Sequence, residues 1–293
     1  MADDMVIVQL LGGLGNQLIQ YAVGCSIAHR NNSPLKLDIS QFDKYPERNY
    51  SLNCFNISAS IASPAEVSRF TTLLRKDRLS KVIASICRKM PYYRRTAFFE
   101  KTSQFNPKIL RASGNIYLIG YWQSEKYFTD IEKMLRDELA FKHNPDSDNS
   151  AMVQFINQTD SVSLHIRRGD YVDRANKVHG ICSLDYYKTA IETLPTSDNP
   201  HFFVFSDDIE WATQNLKLNY PVTFVSHNGI EKDYEDLRLM SHCKNHIIAN
   251  SSFSWWGAWL CANPEKVIIA PKKWFNDPNR DTKDLIPHNW IRV

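Results

Sequence analysis

The sequence lacks the features of disulfide-rich, zinc-binding and membrane-spanning proteins. Its six cysteines have no CxxC spacing, and no cluster of histidine and cysteine has the spacing of zinc ligands. No apolar run approaches the roughly 20 residues of a transmembrane helix, and the acidic N-terminus does not resemble a secretory signal. We therefore expect reduced thiols, no metal and a cytoplasmic location.

A strong charge of one sign is also missing. The chain has 35 Lys and Arg against 32 Asp and Glu, a formal net charge of +3, which gives no reason to expect a nucleic-acid partner. The segment 75–95 is an exception, with eight basic residues and the single acid Asp77 around apolar side chains at helical spacing. Such a helix either packs on its own domain or lies on an anionic surface, which would make the protein peripheral to the inner membrane.

The length of 293 residues favours two domains of ordinary size. The run 141–150 is polar, contains a proline and has no hydrophobic periodicity, so we predict a linker there and domains at 1–150 and 151–293. This run contains Asp146 and Asp148 at the spacing of an Asp-x-Asp metal motif. Because they lie in a loop-like run and not at the end of an apolar strand, we do not assign a metal site to them.

Short apolar runs alternate with amphipathic segments in the C-terminal half, which indicates a parallel sheet covered by helices on both faces. In such sheets a ligand binds beyond the carboxyl ends of the strands. Polar side chains follow three of these runs. The predicted strands are 162–166, 201–205, 222–225, 246–249 and 266–270, and the predicted helices are 184–194, 209–216, 233–241 and 255–261.

The first of these strands leads into His165-Ile166-Arg167-Arg168-Gly169-Asp170-Tyr171. Guanidinium groups carry a permanent charge and present paired donors that match phosphate oxygens, and a glycine lets the backbone approach a ligand closely. The pattern favours an anion site. The alternative is a surface turn whose arginines pair with neighbouring carboxylates.

Four polar residues lie between the predicted strand 246–249 and the helix that follows it: Asn250, Ser251, Ser252 and Ser254. Hydroxyls and free N–H groups at a helix N-terminus can bind phosphate. The alternative is that Ser252 or Ser254 only caps the helix. A cap needs one residue, so we favour a cap that also holds phosphate.

The N-terminal half begins with a predicted strand at 5–11, a glycine-rich turn at 12–17 and a helix at 18–30. The turn resembles a nucleotide-binding strand–helix turn, but it has neither GxGxxG spacing nor a Walker lysine. Gly13 and Gly15 would let a ligand approach the backbone, and Asn16 with Gln17 could donate amide hydrogen bonds. An asparagine that only stabilises the turn is the alternative.

Tyr121, Trp122 and Glu125 combine aromatic faces with polar tips in one short segment. This composition suits carbohydrate binding, and we assign it to an acceptor. The alternative is ordinary packing of aromatic side chains at a domain boundary.

The glycine-rich turn, the arginine motif and 250–256 together resemble the α-1,2-fucosyltransferases of glycosyltransferase family 11. The stretches 120–128 and 183–187 are similar to the bacterial members, and the resemblance extends from Val6 to about Trp274. It implies an α/β fold of the GT-B type, with two Rossmann-like domains facing each other across a cleft. The acceptor would bind mainly to the first domain and GDP-fucose to the second.

The resemblance also implies an activity: inverting, metal-independent transfer of L-fucose to the 2-hydroxyl of a β-galactoside. The acceptor would be a galactose-containing oligosaccharide or lipid-linked glycan, in surface polysaccharide or O-antigen synthesis. Two alternatives stay open. One is a transferase of different linkage or nucleotide sugar on the same scaffold, and the other is a non-catalytic carbohydrate- or nucleotide-binding protein.

The resemblance assigns roles to individual positions. Arg167 would bind the β-phosphate, and Arg168 would be either a second phosphate ligand or an internal salt-bridge partner. The remaining donor contacts would be guanine at His165 and Asp236, phosphate at Ser252 and Ser254, and the leaving oxygen or fucose at Asn16. We add Asp207, Asn250 and Ser251 to the donor site because they follow predicted strands.

The general base is open on the sequence. Direct displacement needs a carboxylate or histidine near the acceptor hydroxyl, unless the departing phosphate accepts the proton. Asp170, Asp173 and His179 all follow the arginines, and we group Asp170 and His179 with Arg167 as catalytic candidates. Asp170 is alternatively a residue that only orients Arg167.

Overall fold

The computed structural model describes residues 4–45, 47–71, 95–169, 179–195, 199–277 and 279–293. The chain divides into two compact units. Unit 1 comprises Met1–Lys142 and Lys283–Leu285, and unit 2 comprises His143–Thr282 and Ile286–Val293. Nothing in the sequence predicted that Lys283–Leu285 would belong to unit 1.

Unit 1 is an α/β unit. Its described strands are β1 (Val6–Gln9), β2 (Leu35–Asp38), β3 (Ser60–Ile61), β4 (Ala97–Phe99) and β5 (Ile116–Ile119), and its described helices are α1 (Leu14–Asn31), α2 (Pro64–Thr71) and α3 (Glu132–Glu138). The strands are all parallel, in the order β3-β2-β1-β5-β4. The order reverses between β1 and β5, and ligands bind parallel sheets at such a switch point.

Helix α1 packs closely on this sheet. A side chain at Gly24 would bring its Cβ within 2.9 Å of a methyl group of Leu35, so glycine lets the helix approach β2 without moving that side chain. The helix ends at Asn32, whose left-handed φ of 47° lets its N–H bond back to the carbonyls of Ala28 and His29. We predicted this helix from residue 18. It begins at Leu14, because the glycine-rich turn already supplies the first helical turn.

Unit 2 repeats the plan. Its described strands are β6 (Ser161–Ile166), β7 (His201–Ser206), β8 (Val222–Phe224), β9 (Asn245–Ile247), β10 (Ile268–Ala270) and β11 (Ile291–Arg292), and its described helices are α4 (Ser147–Gln158), α5 (Leu184–Thr193), α6 (Ile209–Asn215), α7 (Asp233–His242) and α8 (Ser252–Leu260). The strands are parallel, in the order β11-β10-β9-β6-β7-β8, so the switch point lies between β6 and β9.

The core of unit 2 lies on both faces of the sheet. All six residues of β6 are buried. Val162 and Leu164 pack with Tyr187 of α5 on one face, whereas Phe203 and Leu239 belong to a second cluster with Ile156. This two-sided burial explains the continuous apolar runs in the sequence, and it confirms the predicted parallel sheet.

Two predictions about connecting segments need comment. We predicted an irregular linker to residue 150, but α4 already begins at Ser147, because the Asp146 carboxylate accepts the N–H of Asn149 at 3.0 Å and caps the helix. The basic segment 75–95, except Arg95, lies outside the described residues. Within the described residues, no helix is both long and apolar enough to cross a bilayer.

Candidate functional site

The arginine motif follows β6 at the switch point of unit 2, and a single carboxylate organises it. Asp207 follows β7, the neighbour of β6, and its Oδ2 lies 3.0 Å from Nη1 of Arg167. Its other oxygen accepts the backbone N–H of Arg168 at 2.8 Å. A Cβ at Gly169 would lie 2.3 Å from the same carboxylate, so a larger residue there would displace Asp207 from these contacts. Asp207 therefore holds both the side chain of Arg167 and the backbone of Arg168 in place.

The two arginines differ in their surroundings. Arg168 donates from Nε to Asp208 at 3.2 Å, and its guanidinium lies 3.8 Å from the centre of the Trp211 ring. Asp208 also caps α6 by accepting the N–H of Trp211. These contacts favour the internal salt-bridge role for Arg168, and they leave Arg167 as the stronger candidate for binding an anion.

His165 lies just before the arginines on β6 and is buried. Its ring is 5.8 Å from that of Phe253, and Nδ1 makes no hydrogen bond within the described part of the chain. Burial, together with the charge of Arg167, lowers the pKa of this imidazole from 6.5 to about 3. The ring is therefore neutral near pH 7, and Nδ1 is a buried polar atom that the described residues do not satisfy.

The cap of the helix after the polar turn is neither Ser252 nor Ser254, the two serines that we considered for that role. The cap is Ser251, whose hydroxyl accepts the N–H of Phe253 at 3.3 Å. Ser254 is buried and donates to the carbonyl of Ser251 at 3.4 Å. Ser252, in the first turn of α8, is half-buried. Among these serines, Ser252 is thus the best placed to meet a ligand at this helix N-terminus.

Asn250 is buried, and its amide is used internally. Its Nδ2 donates to the carbonyls of His179, Gly180 and Trp274 at 2.9, 3.2 and 3.1 Å. Its side chain therefore ties the polar turn to the backbone at His179. The predicted donor contact of Asn250 stays a prediction, but any such contact would compete with these three bonds.

Asp236 lies in α7 within a network of amide side chains. Its carboxylate accepts from Nδ2 of Asn228 at 2.8 Å, and Asn228 also bonds to the buried Asn149. Burial, opposed by this hydrogen bond, raises the pKa of Asp236 from 3.8 to about 7; the nearby carboxylates Asp233 and Glu235 raise it further. The position is therefore poised to change charge near neutral pH.

The two candidate bases have different standing. Asp170 lies outside the described residues. His179 is described: its ring lies 5.4 Å from that of Phe275, and its carbonyl is held by Asn250. Neither role is decided by this geometry, and both stay predictions.

In unit 1 the glycine-rich turn connects β1 to α1 at the switch point. Gly12 has φ +80°, and a Cβ there would lie 2.7 Å from Nδ2 of Asn16. Gly13 precedes the first residue of α1, and Nη1 of Arg48 lies 3.8 Å from where its Cβ would be. Gly15 is buried in the first turn of the helix. The turn is thus compact and has a cation beside it.

Three amide side chains of α1 hold the loops around this turn. Gln17 donates to the carbonyls of Gly12 and Asn49 and accepts the N–H of Ser51, so this amide, which we considered as a ligand donor, faces inward. The other two amides are Gln20 and Asn16. Gln20 donates to the carbonyl of Gly120 at 3.1 Å, and Oδ1 of Asn16 accepts a hydrogen bond from the side chain of Gln123 at 3.1 Å.

The predicted acceptor residues separate on folding. Tyr121 is 44% exposed, whereas Trp122 is 1% exposed and packs edge-on against Tyr127. Trp122 therefore lies in the core of unit 1, and its predicted contact with an acceptor stays a prediction. Glu125 is half-buried at the start of a 3₁₀ turn, Glu125–Tyr127.

Asp146 and Asp148, the pair at Asp-x-Asp spacing, lie at the start of α4. Asp146 caps α4 and pairs with Lys232 at 2.8 Å, and the Lys232 hydrogen bond lowers the pKa of its carboxyl group. No group of three or more histidine, cysteine, aspartate or glutamate side chains in the described ranges is arranged to hold a metal ion.

Several residues around the carboxyl edges of the two sheets were not identified as candidates in the sequence analysis. Glu100, Gln20, Asn149 and Trp211 all act through hydrogen bonds or ring contacts to residues that only the fold brings close. Of these four, only Trp211 could have been identified from neighbouring residues, because it lies three residues after Asp208, a typical helix-capping residue.

Comparison with known proteins identifies relatives along the full length of the chain. The family model described as Glycosyl transferase family 11 matches residues 5–293. An alpha-1,2-colitosyltransferase of Escherichia coli is 38% identical over 299 residues, covering 99% of both chains. The O-antigen biosynthesis glycosyltransferase WbnK of Escherichia coli is 32% identical and covers 97% of this chain and 99% of its own.

Solved structures share the fold at low identity. The fucosyltransferase NodZ from Bradyrhizobium matches with a TM-score of 0.54 and 15% identity, over 88% of this chain and 93% of its own. FUT1 of Arabidopsis thaliana, in complex with GDP, matches with a TM-score of 0.53 and 13% identity, over 99% and 76%. These likenesses confirm the expected α/β architecture of the GT-B type with two Rossmann-like units.

Proposed function

The chain belongs to glycosyltransferase family 11 and is a glycosyltransferase, and on this basis we propose that it transfers L-fucose from GDP-β-L-fucose to the 2-hydroxyl of a β-galactoside. The observation that carries the proposal is the position of Arg167. It follows the central strand of unit 2 at the switch point, is partly exposed, and is held by Asp207. We propose that the galactoside belongs to a surface polysaccharide or O-antigen.

The chemistry follows from the charges at this edge. When the bond between the fucosyl carbon and GDP breaks, negative charge develops on the β-phosphate. A fixed guanidinium at Arg167 and the N–H groups at the start of α8, with Ser252, would stabilise that charge without a metal ion. The pairing with Asp207 orients Arg167 before the donor arrives, which lowers the cost of organising the site.

We propose that His165 and Asp236 recognise guanine. Guanine presents N–H donors on one edge and acceptors on another. A carboxylate suits the donors, and a neutral imidazole can either donate or accept. Support comes from the unsatisfied Nδ1 of the buried His165 and from the partly buried carboxyl group of Asp236.

Inversion requires that the acceptor hydroxyl lose a proton as it attacks. Asp170, His179 and the departing β-phosphate are the candidates for accepting it. Asp170→Asn and His179→Ala, each tested for donor affinity, transfer and melting temperature, separate them. If neither variant slows transfer while folding is intact, the β-phosphate held by Arg167 becomes the favoured proton acceptor.

A second donor deserves equal testing because a relative 38% identical is a colitosyltransferase. Colitose is L-fucose without the 3-hydroxyl. A site that hydrogen-bonds the 3-hydroxyl rejects the deoxy sugar by about 10⁴-fold or more, whereas an apolar site rejects the added hydroxyl by only about 10²-fold. The ratio of kcat/KM for the two donors therefore shows whether the donor site hydrogen-bonds the 3-hydroxyl or is apolar at that position.

The experiment is a transfer assay with GDP-fucose and GDP-colitose, each offered with a panel of β-galactosides, followed by linkage analysis of the product. Transfer of fucose to the galactose 2-hydroxyl, with inversion, supports the proposal. A strong preference for GDP-colitose would mean that GDP-colitose, and not GDP-fucose, is the donor. Another linkage contradicts it, and tight GDP-fucose binding without turnover indicates a non-catalytic protein.

A further inference from the structure

The turn that follows β5 in unit 1 is held from two sides. Glu100, directly after β4, accepts the N–H of Tyr121 at 2.7 Å through Oε2 and the N–H of Trp122 at 2.9 Å through Oε1. On the other side, Gln20 of α1 donates to the carbonyl of Gly120. Consecutive backbone groups of the turn are thus bound by two side chains from elsewhere in the unit.

The backbone of this turn is unusual and depends on that support. Gly120 has φ +153°, and a Cβ there would lie 2.4 Å from the Cβ of Glu100. Trp122 has φ +56°, a left-handed value that is unfavourable for a bulky side chain. Unfavourable backbone conformations persist only where the surroundings fix them, and they concentrate at binding sites.

The consequence of the turn is the orientation of its aromatic residues. Trp122 is directed into the core, and Tyr121 is left 44% exposed. Both lie at the carboxyl edge of the sheet, beside the switch point between β1 and β5. Of the two supporting side chains, Gln20 is buried in the core of the unit and Glu100 is half-buried.

We infer that Glu100 is a positioning residue for the acceptor, because it fixes Tyr121 as the surface on which the galactose ring stacks. Galactose has an apolar face formed by its axial and ring C–H groups, and a tyrosine ring offers a matching apolar surface with a polar edge. The inference rests on the proposed galactoside acceptor. Glu100 has no contact with the reacting atoms in this role and acts through Tyr121.

The first test removes the platform itself. Tyr121→Ala should raise the KM for a β-galactoside such as lactose about tenfold, as expected for an aromatic stacking contact, and leave the KM for GDP-fucose unchanged. Tyr121→Phe should retain most of the affinity. Tyr220→Ala in unit 2 is a matched control, since Tyr220 is 38% exposed; it should leave both KM values unchanged.

The second test addresses Glu100. Glu100→Gln keeps the shape but replaces one accepting oxygen by an amide group that faces an N–H, so the turn loses one bond. We expect the acceptor KM to rise several-fold while kcat and the donor KM stay the same. Glu132→Gln is the control, because Glu132 is an exposed glutamate of the same unit whose ion pair within the described residues is with Arg136.

A double-mutant cycle decides whether Glu100 acts through Tyr121. In the Tyr121→Ala background, Glu100→Gln should add nothing to the acceptor KM. Additive effects, or a lower melting temperature with an unchanged acceptor KM, would overturn the inference. If Glu100→Gln does not fold, Glu100→Asp, which keeps the charge but cannot span both N–H groups, takes its place in the cycle.

Binding measured without turnover separates this inference from the proposed function. Saturation-transfer NMR on lactose reports contact with the protein whether or not fucose is transferred. If lactose binds and the Tyr121 and Glu100 variants weaken it, the inference stands even where transfer fails. If transfer proceeds and neither variant affects lactose, the inference fails and the proposed function survives.

Discussion

The switch-point edges of the two units are built from different chemistry. In unit 2 the edge is held by ion pairs, with Arg167 on Asp207 and Arg168 on Asp208. In unit 1 the corresponding edge is held mainly by neutral amides, as Gln17 and its neighbours on α1 bind the surrounding backbone. One edge offers fixed charge, and the other offers shaped backbone and an exposed aromatic ring.

The difference matches two kinds of ligand. A nucleoside diphosphate carries charge that grows during the reaction, so its site needs cations whose positions are set in advance. A sugar acceptor is neutral, and it is recognised by hydrogen bonds and apolar contact with well-placed rings. In the function that we propose, the charged edge of unit 2 suits the donor, and the exposed Tyr121 ring of unit 1 suits the acceptor.

The strongest challenge to this comparison is Arg167→Lys. Lysine keeps the charge but cannot form a paired grip on phosphate, so we expect a loss of at least about 100-fold in kcat, comparable to removing one oxyanion donor. Steady-state kinetics with GDP-fucose and calorimetry on GDP measure the effect.

Arg168→Lys and Arg136→Lys are the controls. Arg168→Lys should mainly lower the melting temperature, because the stacking on Trp211 is lost. Arg136→Lys, in a solvent-exposed pair with Glu132, should change neither property. If Arg167→Lys stays within about twofold of the wild type, well below the 1.4 kcal/mol of a tenfold effect, Arg167 does not hold the phosphate.

Asp236→Asn tests whether the carboxyl group of Asp236 in unit 2 contributes to GDP binding while lowering the stability of the folded protein. The folded pKa is raised from 3.8 to about 7, so the native carboxyl keeps a proton that the unfolded chain releases. The free energy of unfolding should therefore fall as pH rises from about 4 to 7. The asparagine variant escapes this loss and should be more stable than wild type at pH 8, by about 2 kcal/mol after allowance for partial exposure.

Urea unfolding at pH 4 and pH 8 measures the change, and the two proteins should be equal at the lower pH. The same variant should bind GDP more weakly at pH 8 if the carboxylate accepts the guanine N–H groups. Equal stability at both pH values would contradict the raised pKa. Unchanged GDP affinity would remove Asp236 from the donor site.

The parallel sheet of unit 2 could be predicted because its strands are buried on both faces and therefore form short apolar runs. The strands after the first one in unit 1 were not predicted. β3 has two residues and β4 has three, too few to show any periodicity. Their places in the sheet are fixed by pairing with distant strands, which a single sequence does not reveal.

The site was predictable in its charges but not in its orientations. Arg167, Arg168 and Gly169 follow β6, and the serines at 251, 252 and 254 follow β9. Both groups favour an anion site, because a ligand binds a parallel sheet beyond the carboxyl ends of its strands. Arg167 pairs with Asp207, whereas Arg168 pairs with Asp208 and lies over the Trp211 ring. The burial of Trp122 depends in the same way on the turn at Gly120. Such choices arise from packing between segments far apart in the chain.

In unit 1, the adjacent glycines Gly12 and Gly13 form a matched pair. Gly12→Ala should destabilise the protein by about 1–2 kcal/mol, because the residue has φ +80° and its Cβ would meet Asn16. Gly13→Ala has an ordinary φ and room for a Cβ, so it should cost less than about 1 kcal/mol. Thermal unfolding of both variants checks this order, and equal losses would contradict the geometry of the turn.

Chelation should have the smallest effect of all. If fixed cations and the N-terminus of α8 stabilise the leaving GDP, transfer after exhaustive EDTA treatment should match the untreated rate. Asp146, the carboxylate that could most plausibly hold a cation with Asp148, already caps α4 and pairs with Lys232. Loss of activity with EDTA, restored by Mn²⁺ or Mg²⁺, would show that a bound cation neutralises the diphosphate. The charged edge of unit 2 would then be only part of the donor site, and the contrast with unit 1 would lose its mechanistic meaning.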